Sequence, residues 1–176
     1  MAMGFNAIRE ALSTENVHEL TPADIFNKAA KTFLSVVGAS AGPLYATAFM
    51  RAGASLKGVE VIDVQAAASM IQAMAKGIQE RGKAEAGEKT MLDAWMPAAE
   101  AAQAAATENN GRSTTQLVLR AAADAAEIGA TNTRQMLAKK GRSAKLGERT
   151  IGHLDAGAKS TALLLDALAT SDGFHN

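Results

Sequence analysis

Alanine is the residue that most constrains what this chain can fold into. About 40 of its 176 positions are Ala, while aromatic residues make up 4%. Alanine has the lowest cost of any residue in a helix, and strands favour the β-branched and aromatic side chains that are scarce here. The composition therefore predicts an all-α protein whose helices approach closely around a core of small side chains, and it excludes an all-β fold. The length is that of one domain, with enough chain to bury a core.

Apolar spacing and helix-end signals divide the sequence into about seven helices, read as an antiparallel bundle or barrel because the connections are short. Phe5, Ile8 and Leu12 share a stripe over residues 2–12, which ends at the polar run Ser13-Thr14-Glu15-Asn16. Thr21-Pro22-Ala23-Asp24 combines a cap, a first-turn proline and an acid at the positive helix end. The helix it opens carries Ile25, Ala29, Phe33 and Val37 and stops at Gly38. Pro43 opens a helix through about Leu56. Asp63 caps one reaching Arg81, with Val64, Ala67, Ile71, Ala75 and Ile78 on one side. Thr90 caps a helix over about 91–107, in which Pro97 falls near the first turns. After a turn at Asn109-Asn110-Gly111, Ser113 caps a long segment, 114–139, and a last helix covers about 158–169. No internal repeat, linker or second domain is evident, so residues 1–176 are expected to form a single domain.

Lys plus Arg and Asp plus Glu each total 18, giving a formal net charge of zero. That balance lacks the basic footprint of a nucleic-acid binder or a polybasic membrane anchor. No cysteine is present, which excludes disulfides, thiol catalysis and cysteine-held metals. No signal layout and no run of 18 apolar residues occurs, so a cytoplasmic location is expected. Phosphate-loop, dinucleotide, zinc and calcium motifs are absent. His18, His153 and His175 are too far apart for their spacing to suggest a metal cluster, and His175 reads as a frayed tail.

Three loops remain that carry more than a bundle connection needs. Gly38-Ala39-Ser40-Ala41-Gly42-Pro43 is built of small residues before a helix start, either a tight turn or a place where phosphate can approach exposed N–H groups. The stretch Arg81 to Met91 mixes glycine and charge, as a solvated loop would, while Met91 fits either a core or a flat ring. The stretch Gly141 to Gly157 is long for a connection. Within it Arg142 and Arg149 suit phosphate or base contacts, and His153 and Asp155 either pair or face a ligand. The bland alternative leaves Glu148 and Arg149 solvated and His153 in a turn.

Taken in order, VVGASAGPLYATAF (36–49), RGKAEAGEKTMLDAWMP (81–97) and KKGRSAKLGERTIGHLDAGA (139–158) resemble the nucleotide-binding L subunit, or L domain, of the dihydroxyacetone kinase family. The resemblance runs from about Gly4 to about Ala169. It implies a barrel of eight antiparallel amphipathic helices that holds ADP or ATP with Mg2+ at one end. By that resemblance Ser40 and Ala41 would meet the phosphates. Gly82 and Met91 would line the adenine and ribose part. Arg142, Asp155, Ala156 and Gly157 would close over the nucleotide. The chain would then be the ADP/ATP-binding subunit of a glycerone kinase, presenting nucleotide to a short ketose held on a separate K subunit. The phosphate would come from ATP or from a phosphohistidine protein. No catalytic side chain is assigned to this chain.

The sequence departs from the family pattern in several places. Ala39-Ser40-Ala41 stands where Gly-Ala-Ser is usual, and Ala86 and Ala156 replace common prolines. The family's magnesium ligands lie in an aspartate loop of the type GDxDHGxNM after a first helix, and this sequence begins at the residue corresponding to the Met that follows it. Asp24, Asp63 and Asp93 read as cap or helix-face residues, so no metal ligands are assigned. The expectation is an N-terminally shortened L-type domain, inactive alone, binding Mg-ADP weakly or not at all, and prone to self-association through the apolar stripe a missing helix would bare. The alternative is a non-catalytic helical interaction protein that has lost nucleotide binding.

Overall fold

The computed structural model describes residues 2–107 and 113–171; the expected turn at 109–111 and the tail with His175 lie outside them. The described residues form α1 (Ala2–Ser13), α2 (Pro22–Val36), α3 (Ala41–Ser55), α4 (Val64–Gly82), α5 (Leu92–Thr107), α6 (Thr115–Asn132) and α7 (Ala156–Ala169), with short 3-10 segments and no strand among them. Each helix packs on the next in sequence, and α4 also meets α6 and α5 meets α7.

The helix starts follow local chemistry. Thr21 and Asp24 make a reciprocal capping box at α2, with Pro22 behind the cap. The Asp63 carboxylate accepts from Ala66 N–H at α4, and Asp155 does the same for Ala158 at α7. Each side-chain oxygen satisfies one of the N–H groups a helix start leaves without a partner.

The core has two textures. Phe5, Phe26, Phe33, Tyr45 and Phe49, from α1, α2 and α3, form one aromatic cluster with ring centroids 5.3 to 6.4 Å apart, several of them edge-on. Gly4 lets α1 reach this cluster, since a β-carbon there would collide with Phe33. The rest, α4 to α7, mixes many alanines with larger apolar side chains: Ala67, Ala68, Ala98, Ala102, Ala122 and Ala126 are fully buried, among Met70, Ile71, Met74, Leu92, Trp95, Leu119 and Leu165. The alanines let the helices approach closely, and the larger side chains fill the space between them.

Several expected boundaries move. The helix after Ser40 begins at Ala41, so Pro43 lies inside its first turn, and α7 begins at Ala156 rather than at 158. The cap of α6 is Thr114, whose hydroxyl accepts from Leu117 N–H, and not Ser113, whose hydroxyl donates to Ala105 O. The largest correction is that the helix expected over 114–139 ends at Asn132. Buried Thr133 donates its hydroxyl hydrogen to Ala130 O and accepts from Asp155 N–H. Beyond it, Ala138 N–H donates to the Thr150 hydroxyl and Lys139 N–H to Glu88 O. Partners from other segments therefore take the N–H groups that a continued helix would use, overriding good local helix propensity.

Candidate functional site

The N-termini of α3, α5 and α7 and the C-termini of α4 and α6 gather at one end of the molecule, as alternating antiparallel helices require. A cavity of about 440 Å³ opens there, within the usual range for small-molecule sites. Its walls come from all three loops of interest: Ser40 and Ala41 from the first, Gly82 and Met91 from the second, Arg142, Asp155, Ala156 and Gly157 from the third. All eight residues singled out in the sequence thus line one cavity, although they span positions 40 to 157. His153 and Arg149 do not line it; both are exposed.

The cavity is polar at one part and apolar at another. Leu44, Ile78, Ala84 and Met91 supply the apolar wall. Met91 is packed against Gly157, where an added β-carbon would come 3.1 Å from the Met91 Cβ. A wall of aliphatic groups and a thioether suits a flat ring. The polar part begins at α3. Ser40 is its N-cap residue but makes no side-chain cap bond, so first-turn N–H groups stay available to a ligand at the positive end of the helix dipole. Arg142 and Lys140 add positive charge.

Asp93 organises the second loop from within. It is buried, and its carboxylate accepts from Gly87 N–H at 2.5 Å and Thr90 N–H at 2.7 Å. It behaves as the cap-type residue that its position predicts. Asp155 has a related role at α7, and burial holds its pKa above the ordinary value; the Ala158 and Gly157 N–H groups pull it down, the Asp93 charge pushes it up, and the Lys89 charge again lowers it. Tyr45, buried beneath the site, shares a hydrogen bond with the Ser160 hydroxyl at 2.8 Å and so ties α3 to α7. Burial raises its pKa.

The residue that sequence reasoning missed is Lys89. It lines the cavity, is 4% exposed, and its ammonium donates to Thr133 O at 2.5 Å and His153 O at 2.6 Å. Burial lowers its pKa, which the charge of Asp155 partly offsets. Lys89 also has φ of 60°, a left-handed conformation that costs a side-chain-bearing residue about 1–2 kcal/mol. Locally, Gly-Glu-Lys-Thr reads as solvated loop, and no nearby residue signals that two distant carbonyls will enclose the lysine.

For a metal the described residues offer less. No group of three or more His, Asp or Glu side chains among them could hold an ion. The carboxylates of Asp155, which lines the cavity, and of buried Asp93 are engaged with backbone N–H groups. The described residues thus do not fit a magnesium site. Nor is any of their helices long and apolar enough to cross a membrane.

Comparison with known proteins agrees with this architecture. The DAK2 domain model matches residues 1–170. The ADP-binding subunit DhaL of PEP-dependent dihydroxyacetone kinase 1 from Listeria innocua is 37% identical over 172 residues, covering 98% of this chain and 78% of that protein. The corresponding DhaL subunit from Escherichia coli is 36% identical, covering 96% of this chain and 78% of that protein. Among solved structures, the dihydroxyacetone kinase of C. freundii in complex with AMP-PNP and Mg2+ superposes with a TM-score of 0.64 at 27% identity. It matches 97% of this chain, which spans 28% of that kinase's length.

Proposed function

This chain belongs to the DAK2 domain family, and on that footing we propose that it is the ADP-binding subunit of a dihydroxyacetone kinase, with the nucleotide held in the cavity between α3, α4 and α7. The observation that carries the assignment of the site is the convergence of Ser40, Ala41, Gly82, Met91, Arg142, Asp155, Ala156 and Gly157 on one cavity. In this reading the adenine and ribose lie against Gly82 and Met91. The phosphates meet the N-terminus of α3 at Ser40 and Ala41. Arg142 and the start of α7 close the opposite side.

Phosphoryl transfer asks mainly for positioning and charge neutralisation. The N-terminus of α3 and Arg142 supply positive potential on this chain, and the apolar wall orients the base. In this reading the ketose acceptor is held by a partner, the K subunit, as the naming of the relatives as subunits of a dihydroxyacetone kinase suggests. Relatives named PEP-dependent and ADP-binding support a donor other than free ATP; in this reading it is a phosphohistidine protein, with ADP retained between cycles. Magnesium is given no step, because the described residues do not provide its ligands. Self-association is part of the proposal: Met3 of α1 and Leu34 of α2 are 64% and 52% exposed, and a strictly monomeric light-scattering mass would count against it.

Calorimetric titration with ADP tests the site. Saturable one-to-one binding, weakened by Arg142→Ala with the thermal midpoint unchanged, is the expected result. Heat indistinguishable from dilution, or binding untouched by Arg142→Ala, would overturn the assignment.

A further inference from the structure

We infer that Lys89 is a positioning residue for nucleotide binding, pinning both ends of the 133–153 loop with one ammonium group so that Arg142 is held over the cavity. The inference rests on the reading of the cavity as the ADP site. Thr133 and His153, whose carbonyls Lys89 holds at 2.5 and 2.6 Å, are where the chain leaves α6 and where it returns toward α7. Pinching those two points fixes the base of the loop that carries Arg142.

Neighbouring bonds make the same base rigid. Gly152 N–H donates to Arg134 O at 2.7 Å, and Asp155 N–H donates to the Thr133 hydroxyl at 2.9 Å. Glu88, next to Lys89, accepts from Lys139 N–H at 3.1 Å. The second and third loops are therefore one structure joined at Glu88 and Lys89. Arg142, by contrast, is exposed and makes no side-chain hydrogen bond or ion pair among the described residues. Its own contacts do not place it; the loop's base does.

The backbone at Lys89 points the same way. With φ of 60° the position would suit glycine, and a buried ammonium carries a desolvation cost unless it is hydrogen-bonded. A lysine there incurs both costs, and what it supplies in return is a charged donor able to reach two carbonyls 20 residues apart in the sequence. An apolar side chain would leave both carbonyls short of this donor.

The test uses the full chain and two readouts. In calorimetry with ADP, Lys89→Met should weaken binding about tenfold, or ~1.4 kcal/mol. Arg142→Ala should weaken it similarly, and the double variant no more than the worse single one, because a misplaced Arg142 has little left to lose. Lys89→Arg, which keeps a charged fork of donors, should restore most of the affinity and the Arg142 dependence. Limited trypsin digestion at Arg142, Lys145 and Arg149 needs no nucleotide, and should be faster in Lys89→Met and near normal in Lys89→Arg. If Lys89→Met does not fold, Lys89→Leu, which likewise has no donor, carries the same comparison.

Additive losses in the double variant, unchanged ADP affinity, or unchanged digestion would overturn the inference. A purely structural lysine would lower the thermal midpoint and leave the Arg142 contribution intact. Failure of the unaltered chain to bind ADP would instead overturn the nucleotide reading, and the role of Lys89 with it; digestion would then report separately whether the pin exists.

Discussion

Gly129 of α6 faces the carbonyl oxygen of Asp93 in α5 so closely that a β-carbon at position 129 would overlap it. That carbonyl is special. Its helical partner would be the N–H of residue 97, and Pro97 has none. The proline thus frees an acceptor, and the glycine brings the neighbouring helix onto it, with the Pro97 ring 3.0 Å from where that β-carbon would lie.

Gly129→Ala should therefore destabilise the fold despite alanine's better helix propensity. Overpacking costs about 1–3 kcal/mol, and more where backbone is the obstacle. Gly38→Ala is the control, since nothing lies within 4 Å of its β-carbon position and its effect should stay within about 0.5 kcal/mol. Urea unfolding followed by the fluorescence of Trp95, the single tryptophan, measures both.

Ala39 has φ of 57°, the left-handed region that favours glycine. Ala39→Gly relieves steric strain of about 1–2 kcal/mol but adds unfolded-state entropy of about 0.4–1 kcal/mol. The net expectation is a gain of roughly 0.5–1 kcal/mol in the same unfolding assay. A loss would mean that the Ala39 methyl makes contacts worth more than its strain.

Helix starts and helix stripes are where the sequence is most legible. Thr21-Pro22-Ala23-Asp24 announces the start of α2 because a cap acts over three residues, and the structure contains the reciprocal bonds. The stripe Leu119, Ala122, Ala126 and Ala130 is buried as its period predicts. The extension of that helix to 139 does not form, because its end depends on Thr133 meeting Asp155, 22 residues away. Lys89 is illegible for the same reason: its two acceptors lie 44 and 64 residues further on. The cavity is legible only through the resemblance, which ties together three loops that periodicity treats as separate. Local bonds are written in local sequence, and closure of the site is not.

Asp155 supplies a pH signature. Burial holds its native pKa above 3.8, so between 3.8 and that raised value the native chain binds more protons than the unfolded one. Its contribution to stability therefore falls as pH rises through that interval. Asn caps helices as well as Asp does. Asp155→Asn should keep the α7 start, and its thermal midpoint should gain on the unaltered chain as pH climbs from about 4 toward neutrality. Lys89 acts in another range: with its pKa below 10.5, stability rises as pH climbs from the lowered native value to 10.5. A constant gap between Asp155→Asn and the unaltered chain across the acid range would show that ionised Asp155 is fully compensated in the fold.

Magnesium should leave ADP affinity for this chain unchanged. A magnesium ion takes hard oxygen ligands, usually carboxylates together with phosphate and water. Asp93 spends its oxygens on Gly87 and Thr90, and Asp155 is committed to the first turn of α7. Turning either toward a cation would strip donors from a loop or a helix start that the site itself needs. Weak binding through the apolar wall, the α3 terminus and Arg142 should thus be the same with magnesium or with a chelator. Parallel titrations decide this. A marked tightening with magnesium would mean that the metal is held through groups other than these two carboxylates, and Asp155→Asn, which removes one charge near the cavity, would then leave that tightening in place.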